Sequence, residues 1–121
     1  MILPSEAVLL RIFIGESDKL GHMLLYEAIV QEARKRGMAG ATVIHGVMGF
    51  GKASRIHTAK ILRLSEDLPV IIEIVDKRER IEAFLPVIDP MIGDGLVTTE
   101  EVRVISYRHN ATRLHPPEQN A

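Results

Sequence analysis

Residues Gly46–Asp67 read GVMGFGKASRIHTAKILRLSED, a polar and basic stretch that lies between two strongly apolar runs of the chain. At its start the glycines of Gly49 to Lys52 (GFGK) flank a phenylalanine. Glycine lets a ligand approach the main chain closely, so this spacing predicts the base of a binding loop. An irregular connection longer than about 12–15 residues inside a compact domain is usually functional, which favours the same interpretation.

The part of the chain before this loop predicts a strand, a helix and a second strand. Ala7 to Ile14 is a short run of branched aliphatic residues, which is typical of a buried strand. Apolar residues recur at helical spacing from Leu24 onward, and Gly37 is the expected helix stop. Gly40 to Ile44 predicts the strand that leads directly into the loop.

The part after the loop repeats this pattern. Leu68 to Val75 is almost continuously apolar and predicts a strand, and Asp76 with Glu79 resembles a capping box for a second helix. Leu96 to Tyr107 predicts a last strand that is interrupted near Thr99. The expected buried stripe of the second helix is Ile81, Phe84, Leu85 and Ile88.

The order β-α-β-loop-β-α-β predicts an α+β fold of the ferredoxin-like split βαβ type. In this fold a four-stranded antiparallel sheet has two helices on one face, and we expect its other face to meet solvent or another subunit. The predicted domain spans residues 1–108, with a long loop at about 47–67, and residues 109–121 form a flexible tail.

Composition excludes several classes of protein. Fifteen Lys and Arg against sixteen Asp and Glu leave a net charge of −1, so no global field favours nucleic acid as a partner. The chain has no Cys, which excludes disulfides and thiol catalysis and fits a cytoplasmic location. The apolar N-terminal run is interrupted by Pro4, Glu6 and Arg11, so we expect neither a signal peptide nor a membrane span.

An ordered set of short motifs resembles the PII signal-transduction proteins. GMAGATV, GFGK, His57-Thr58, IEIV, GDG and VRVI occur in that order between Gly37 and Arg108. More closely, the whole chain resembles the small PII-like proteins that are filed as a domain of unknown function. The resemblance implies a homotrimer with nucleotide sites in the clefts between subunits. It also implies a long loop that signals to a protein partner, such as a membrane transporter.

The same resemblance implies which residues bind. An adenine nucleotide, with no covalent cofactor, would contact the strand before the loop, the loop base, the GDG turn of the adjacent subunit and the end of the last strand. These residues are Thr42, Gly49, Phe50, Gly51, Lys52, Gly93, Asp94, Gly95 and Arg108. A glycine turn presents main-chain amides to phosphate, and a nearby cation neutralises the charge. The loop residues facing the protein partner would be Arg55, His57 and Lys60.

The chain also departs from well-known PII proteins. Ala53 replaces a glutamine that helps to hold magnesium and 2-oxoglutarate, and Ile61 lies nearest to the modified loop tyrosine. We therefore expect neither 2-oxoglutarate sensing by that mechanism nor uridylylation. Leu96 and Ser106 stand where cations hold the outer phosphates, which favours AMP or ADP over ATP.

Two other functions remain open at this point. One is a metal-binding trimer resembling the divalent-cation tolerance proteins, using His45 or His57, although the five histidines show no zinc-ligand spacing. The other is a small enzyme acting on a nucleotide in the same cleft. No nucleophile and base stand at a recognisable spacing, so we expect a regulatory protein without catalytic residues.

Overall fold

The computed structural model describes residues 4–51 and 67–108. Within these ranges the elements are β1 (Glu6–Gly15), a hairpin of β2 (Lys19–Leu20) and β3 (Met23–Leu24), α1 (Leu25–Lys35), β4 (Thr42–His45), β5 (Pro69–Asp76), α2 (Arg78–Ile88), a 3-10 turn (Asp89–Met91) and β6 (Leu96–Arg103). Among the described residues, no helix has the length and apolar character needed to cross a membrane.

The four long strands form one sheet in the order β4-β5-β1-β6. All three neighbouring pairs are antiparallel. Because of the strand order, α1 joins β1 to β4 on either side of β5, and α2 joins β5 to β6 on either side of β1. This topology confirms the predicted ferredoxin-like split βαβ fold.

One face of the sheet is covered by the two helices. Burial alternates along β5, where Val70, Ile72, Ile74 and Asp76 are buried and the residues between them are half-buried. Alternate residues of β1, from Val8 to Ile14, and the buried apolar residues of β5 form one core cluster with Leu25, Ile29, Ala33, Ile81, Phe84 and Ile88 of the helices. The predicted stripe of the second helix is thus confirmed, with Leu85 half-buried at its side.

The other face, here called the open face, carries two rows of residues that are aligned across all four strands. The apolar row is Ile44, Ile71, Phe13 and Leu96. The polar row is Thr42, Glu73, Arg11 and Thr98. Residues directly opposite each other on antiparallel strands share a face, so each row is continuous from one edge of the sheet to the other.

Two predictions about the second half are wrong. β6 is uninterrupted at Thr99 because it pairs with β1 along its whole length, and it ends at Arg103 rather than Tyr107. Asp76 and Glu79 do not form a capping box, because Asp76 has the strand parity that turns its side chain into the protein.

Asp76 instead connects the ends of the two helices. Its carboxylate is fully buried and accepts hydrogen bonds from the amides of Ala39 at 2.9 Å and Lys77 at 2.8 Å, and from Arg80 Nε at 3.3 Å. Arg80 also donates to the carbonyls of Arg36 and Gly37 beyond α1. This network fixes the segment that leads from α1 into β4.

Candidate functional site

The first two glycines after β4, Gly46 and Gly49, pack closely against the start of β5. The Gly46 amide donates to the Pro69 carbonyl at 2.7 Å. A Cβ atom at Gly46 would lie 2.7 Å from Pro69 Cγ, closer than a real side chain permits, and one at Gly49 would lie 3.0 Å from it, a tight contact that requires Pro69 to shift slightly. Phe50, between the last two glycines, is 74% exposed. The loop base is therefore held against the sheet while its aromatic ring remains available to another molecule.

The second glycine turn, Gly93 to Gly95, precedes β6. A Cβ at Gly95 would lie 2.8 Å from the Phe13 carbonyl, whereas a Cβ at Gly93 would meet nothing within 4 Å. In the part of the chain that the structure describes, positive φ occurs at Gly21 and Gly37. Gly95 is thus needed for its close approach to β1, not for an unusual dihedral angle, and the turn leaves open space above Gly93.

The two glycine turns lie at the same end of the sheet but at opposite edges. Gly15 at the end of β1 pairs with Pro69, against which the first turn packs, while the second turn leads into Leu96 opposite Phe13. β5 and β1 lie between the two edge strands. Three interstrand spacings separate the edges by about 14 Å. A single copy of the chain therefore does not combine the two turns into one site.

Thr42 lines a cavity of about 500 Å³ on the open face, which is bounded by residues 39–42, Glu73, Val75 and residues 102–107. The segment that follows β6 closes one side of it, because the Tyr107 hydroxyl donates to the Ala39 carbonyl at 2.6 Å. Arg108 follows at the exit of this segment. Of the described residues that the motifs predict to bind, Thr42 thus lines this cavity, whereas Arg108 and the two glycine turns do not.

Arg11 lies at the centre of the polar row and is bonded on both sides. Its Nε donates to Glu73 Oε2 at 2.9 Å, and a terminal nitrogen donates to Glu100 Oε1 at 2.6 Å. The hydrogen bond to Glu73 and then that to Glu100 raise the pKa of Arg11 above its ordinary value. The guanidinium therefore stays charged, and it joins the wall of the cavity to the β6 edge.

Sequence reasoning missed Glu73, Tyr107 and the role of Arg11. Arg11 and Glu73 were both visible as single charges inside apolar strands, and their shared row follows once β1 is paired with β5. No pattern in the sequence indicates that Tyr107 reaches the turn before β4.

A larger hollow of about 1000 Å³ lies at the same end of β6 as the cavity, between the start of β1 and the first turn of α2. It contains the ion pair between Arg78 and Glu101 at 2.6 Å. Among the described residues that line it there is none that the motifs predict to bind, so we place the candidate site at the smaller cavity and the two turns.

His45 lies at the end of β4, where its Nδ1 is 3.5 Å from Glu16 Oε2 and its ring packs edge-on against Tyr26. Across residues 4–51 and 67–108, no three His, Asp or Glu side chains are grouped as a metal site would need. His57 lies outside the described residues, as do Lys52, Ala53, Arg55, Lys60 and Ile61. The predictions for these residues and for the tail at 109–121 stay untested.

Residues 7–104 match the family model DUF190, which is described as "Uncharacterized ACR, COG1993". A UPF0166 protein of Aquifex aeolicus (strain VF5) is 39% identical to the chain over 97 residues, which cover 80% of this chain and 91% of the relative. A UPF0166 protein of Methanocaldococcus jannaschii is 37% identical over 100 residues, covering 82% and 92%.

Among solved structures, the chain is similar to CPII, a nitrogen regulatory PII-like protein of Thiomonas intermedia K12. The complex of CPII with ADP, AMP and bicarbonate gives a TM-score of 0.58 at 16% identity, covering 82% of this chain and 92% of CPII. The complex with ADP and bicarbonate gives 0.61 at 18%, covering 82% and 88%. Identity at this level shows the fold alone. The chain belongs to the DUF190 family and has the fold of the PII-like proteins.

Proposed function

We propose that this chain is a regulatory protein that binds an adenine nucleotide in a cleft between two copies of itself. The observation that carries the proposal is the position of the two glycine turns, at one end of the sheet but on opposite edges. They can flank one ligand when the β4 edge of one copy lies beside the β6 edge of the next. CPII, which shares the fold, has been solved with ADP and AMP bound.

The apolar surface supports this arrangement of copies. Val47 and Phe50 project from the β4 edge, and Leu96 is 56% exposed at the β6 edge. The apolar row joins these two patches across the sheet. A contact between different patches of identical copies is heterologous, and it makes a closed ring when its rotation closes. We propose the homotrimer that the resemblance to PII proteins implies.

The nucleoside half of the ligand fits the cavity beside Thr42. Its volume of about 500 Å³ lies within the range of small-molecule pockets, and valine, isoleucine and alanine side chains supply apolar contact for a base. The phosphates then extend toward a glycine turn, where amides and the open space above Gly93 suit an anion. Leu96 and Ser106 add no positive charge, so AMP and ADP are favoured over ATP.

Signalling remains a prediction for the long loop. Arg55, His57 and Lys60 lie in it and would contact a protein partner whose binding depends on the nucleotide. This role is regulatory and needs no catalytic group.

Isothermal calorimetry with AMP, ADP, ATP and cyclic AMP tests the proposal. We expect AMP or ADP to bind most tightly. Gly93→Ala should weaken that binding, because its methyl group enters the space proposed for the ligand, and it should leave the thermal unfolding midpoint unchanged, because that group contacts no protein atom within 4 Å. Leu96→Asp should weaken binding by separating the copies, which light scattering detects. Leu20→Asp is the matched control, since Leu20 is also exposed but lies on the hairpin. Absence of binding by all four nucleotides at millimolar concentration would refute the proposal.

A further inference from the structure

The cavity on the open face contains an acidic group whose position is fixed by the sheet. Glu73 is the one acidic side chain among the described residues that line the cavity, and it lies opposite Thr42 in the strand register. A carboxylate there repels phosphate and accepts hydrogen bonds from a donor. The Glu73 side of the cavity therefore suits the hydroxyl-bearing nucleoside end of a nucleotide, while Arg103, which also lines the cavity, adds a positive charge.

Arg11 holds this carboxylate without lining the cavity itself. Its Nε contacts Glu73 Oε2 at 2.9 Å while its terminal nitrogen is bound to Glu100 Oε1 at 2.6 Å, so the guanidinium is fixed from two sides. Charge-assisted bonds from the rigid guanidinium fork specify direction as well as distance. One such bond uses part of the acceptor capacity of Glu73, because an ionised carboxylate offers about four lone-pair sites.

The remaining chemistry matches a ribose. A vicinal diol both donates and accepts hydrogen bonds, and a carboxylate beside a threonine hydroxyl offers an acceptor together with a group that can do either. An adenine amine offers donors alone. Acidic side chains bind ribose hydroxyls in the same way in dinucleotide-binding folds.

We propose that Glu73 accepts hydrogen bonds from the ribose hydroxyls of the bound nucleotide, and that Arg11 is a positioning residue that orients Glu73 for this contact. The proposal rests on the proposed function, since it assumes that a nucleotide occupies the cavity. It makes the site selective for ribonucleotides over deoxyribonucleotides.

Calorimetry of the wild-type protein with AMP, 2′-deoxy-AMP and IMP tests this without any substitution. Loss of a charge-assisted hydrogen bond should weaken 2′-deoxy-AMP about 10- to 100-fold relative to AMP. IMP lacks the exocyclic amine and should bind about as well as AMP. Equal binding of AMP and 2′-deoxy-AMP, or discrimination against IMP alone, overturns the inference while leaving nucleotide binding in place. Failure of all three ligands to bind overturns the proposed function as well.

Substitutions then distinguish the contact of Glu73 with the ribose from the positioning of Glu73 by Arg11. Glu73→Gln should bring the ratio between AMP and 2′-deoxy-AMP to within about threefold, since the charge that strengthens the bond is gone. Arg11→Lys keeps the positive charge but not the fork, and should give an intermediate ratio. Glu101→Gln is the control, because it removes one charge from β6 outside this cavity and should keep the wild-type ratio. An unchanged ratio in Glu73→Gln refutes the assignment.

Discussion

The two faces of the sheet differ in whether their side chains find packing partners within the same chain. On the covered face, alternate residues of β1 and β5 pack against both helices, and even the buried Asp76 finds three partners in the same chain. On the open face, the polar row runs beside the apolar row, Leu96 is exposed, and a cavity lies beneath the segment after β6. The covered face therefore determines the fold, while the open face holds the groups through which the chain meets other molecules.

Neighbouring isoleucines on β5 provide the sharpest test of this difference. Ile72→Ala removes a fully buried side chain from the core and should lower the free energy of unfolding by about 2–5 kcal/mol. Ile71→Ala, one residue away on the open face, should lower the free energy of unfolding of the monomer by less than Ile72→Ala does, but it should weaken the association between copies. Chemical denaturation and sedimentation of both variants measure the two effects. Equal losses of stability with unchanged association would contradict the division between the faces.

The Asp76 network predicts the next largest effect. Asp76→Ala leaves the Ala39 amide and the Arg80 guanidinium without their buried acceptor, so the free energy of unfolding should fall by about 3 kcal/mol. Glu79→Ala, on the exposed side of α2, is the control and should change it by less than about 0.5 kcal/mol. Urea titrations give both values. An Asp76→Ala variant whose free energy of unfolding is unchanged would mean that the network does not support the segment before β4.

A smaller effect is expected at the segment that crosses the open face. Tyr107→Phe removes the hydrogen bond to the Ala39 carbonyl, which is worth about 1 kcal/mol. Hydrogen exchange of the amides at 104–107 should become faster by up to about fivefold. Tyr26→Phe is the control, because Tyr26 packs on His45 through its ring, which phenylalanine keeps. Unchanged exchange in Tyr107→Phe would show that other contacts hold the segment.

The smallest effect concerns pH. The pKa of Arg11 is raised by Glu73 and Glu100, so its stabilising contribution is fully present below the ordinary arginine value and is lost only as pH rises through the higher folded value. The stability difference between wild type and Arg11→Gln should therefore be the same at about pH 7 and about pH 9. A difference that shrinks over this interval would contradict the assignment of a permanently charged Arg11.

The sequence was sufficient for the covered face and insufficient for the open one. Periodicity identified β1, α1, β5 and α2, because burial on one side imposes a regular spacing of apolar residues. It misread Asp76, since a capping pattern and a buried network acceptor look alike before strand parity is known. It also missed the cavity, because the approach of Tyr107 to Ala39 joins residues 68 positions apart. The resemblance to PII proteins predicted that the two glycine turns bind a nucleotide, but only the sheet order shows that they lie on opposite edges.

Subunit mixing tests the central claim, that one ligand lies between two copies, most directly. Gly51→Asp and Gly93→Asp each place a carboxylate in one glycine turn, at positions where a Cβ meets nothing within 4 Å. Each variant alone should lose AMP and ADP binding. In trimers refolded from an equal mixture, about one quarter of the clefts would combine two unaltered turns. Recovery of about that fraction of sites is the predicted result, and no recovery in mixed trimers would contradict a site shared between copies.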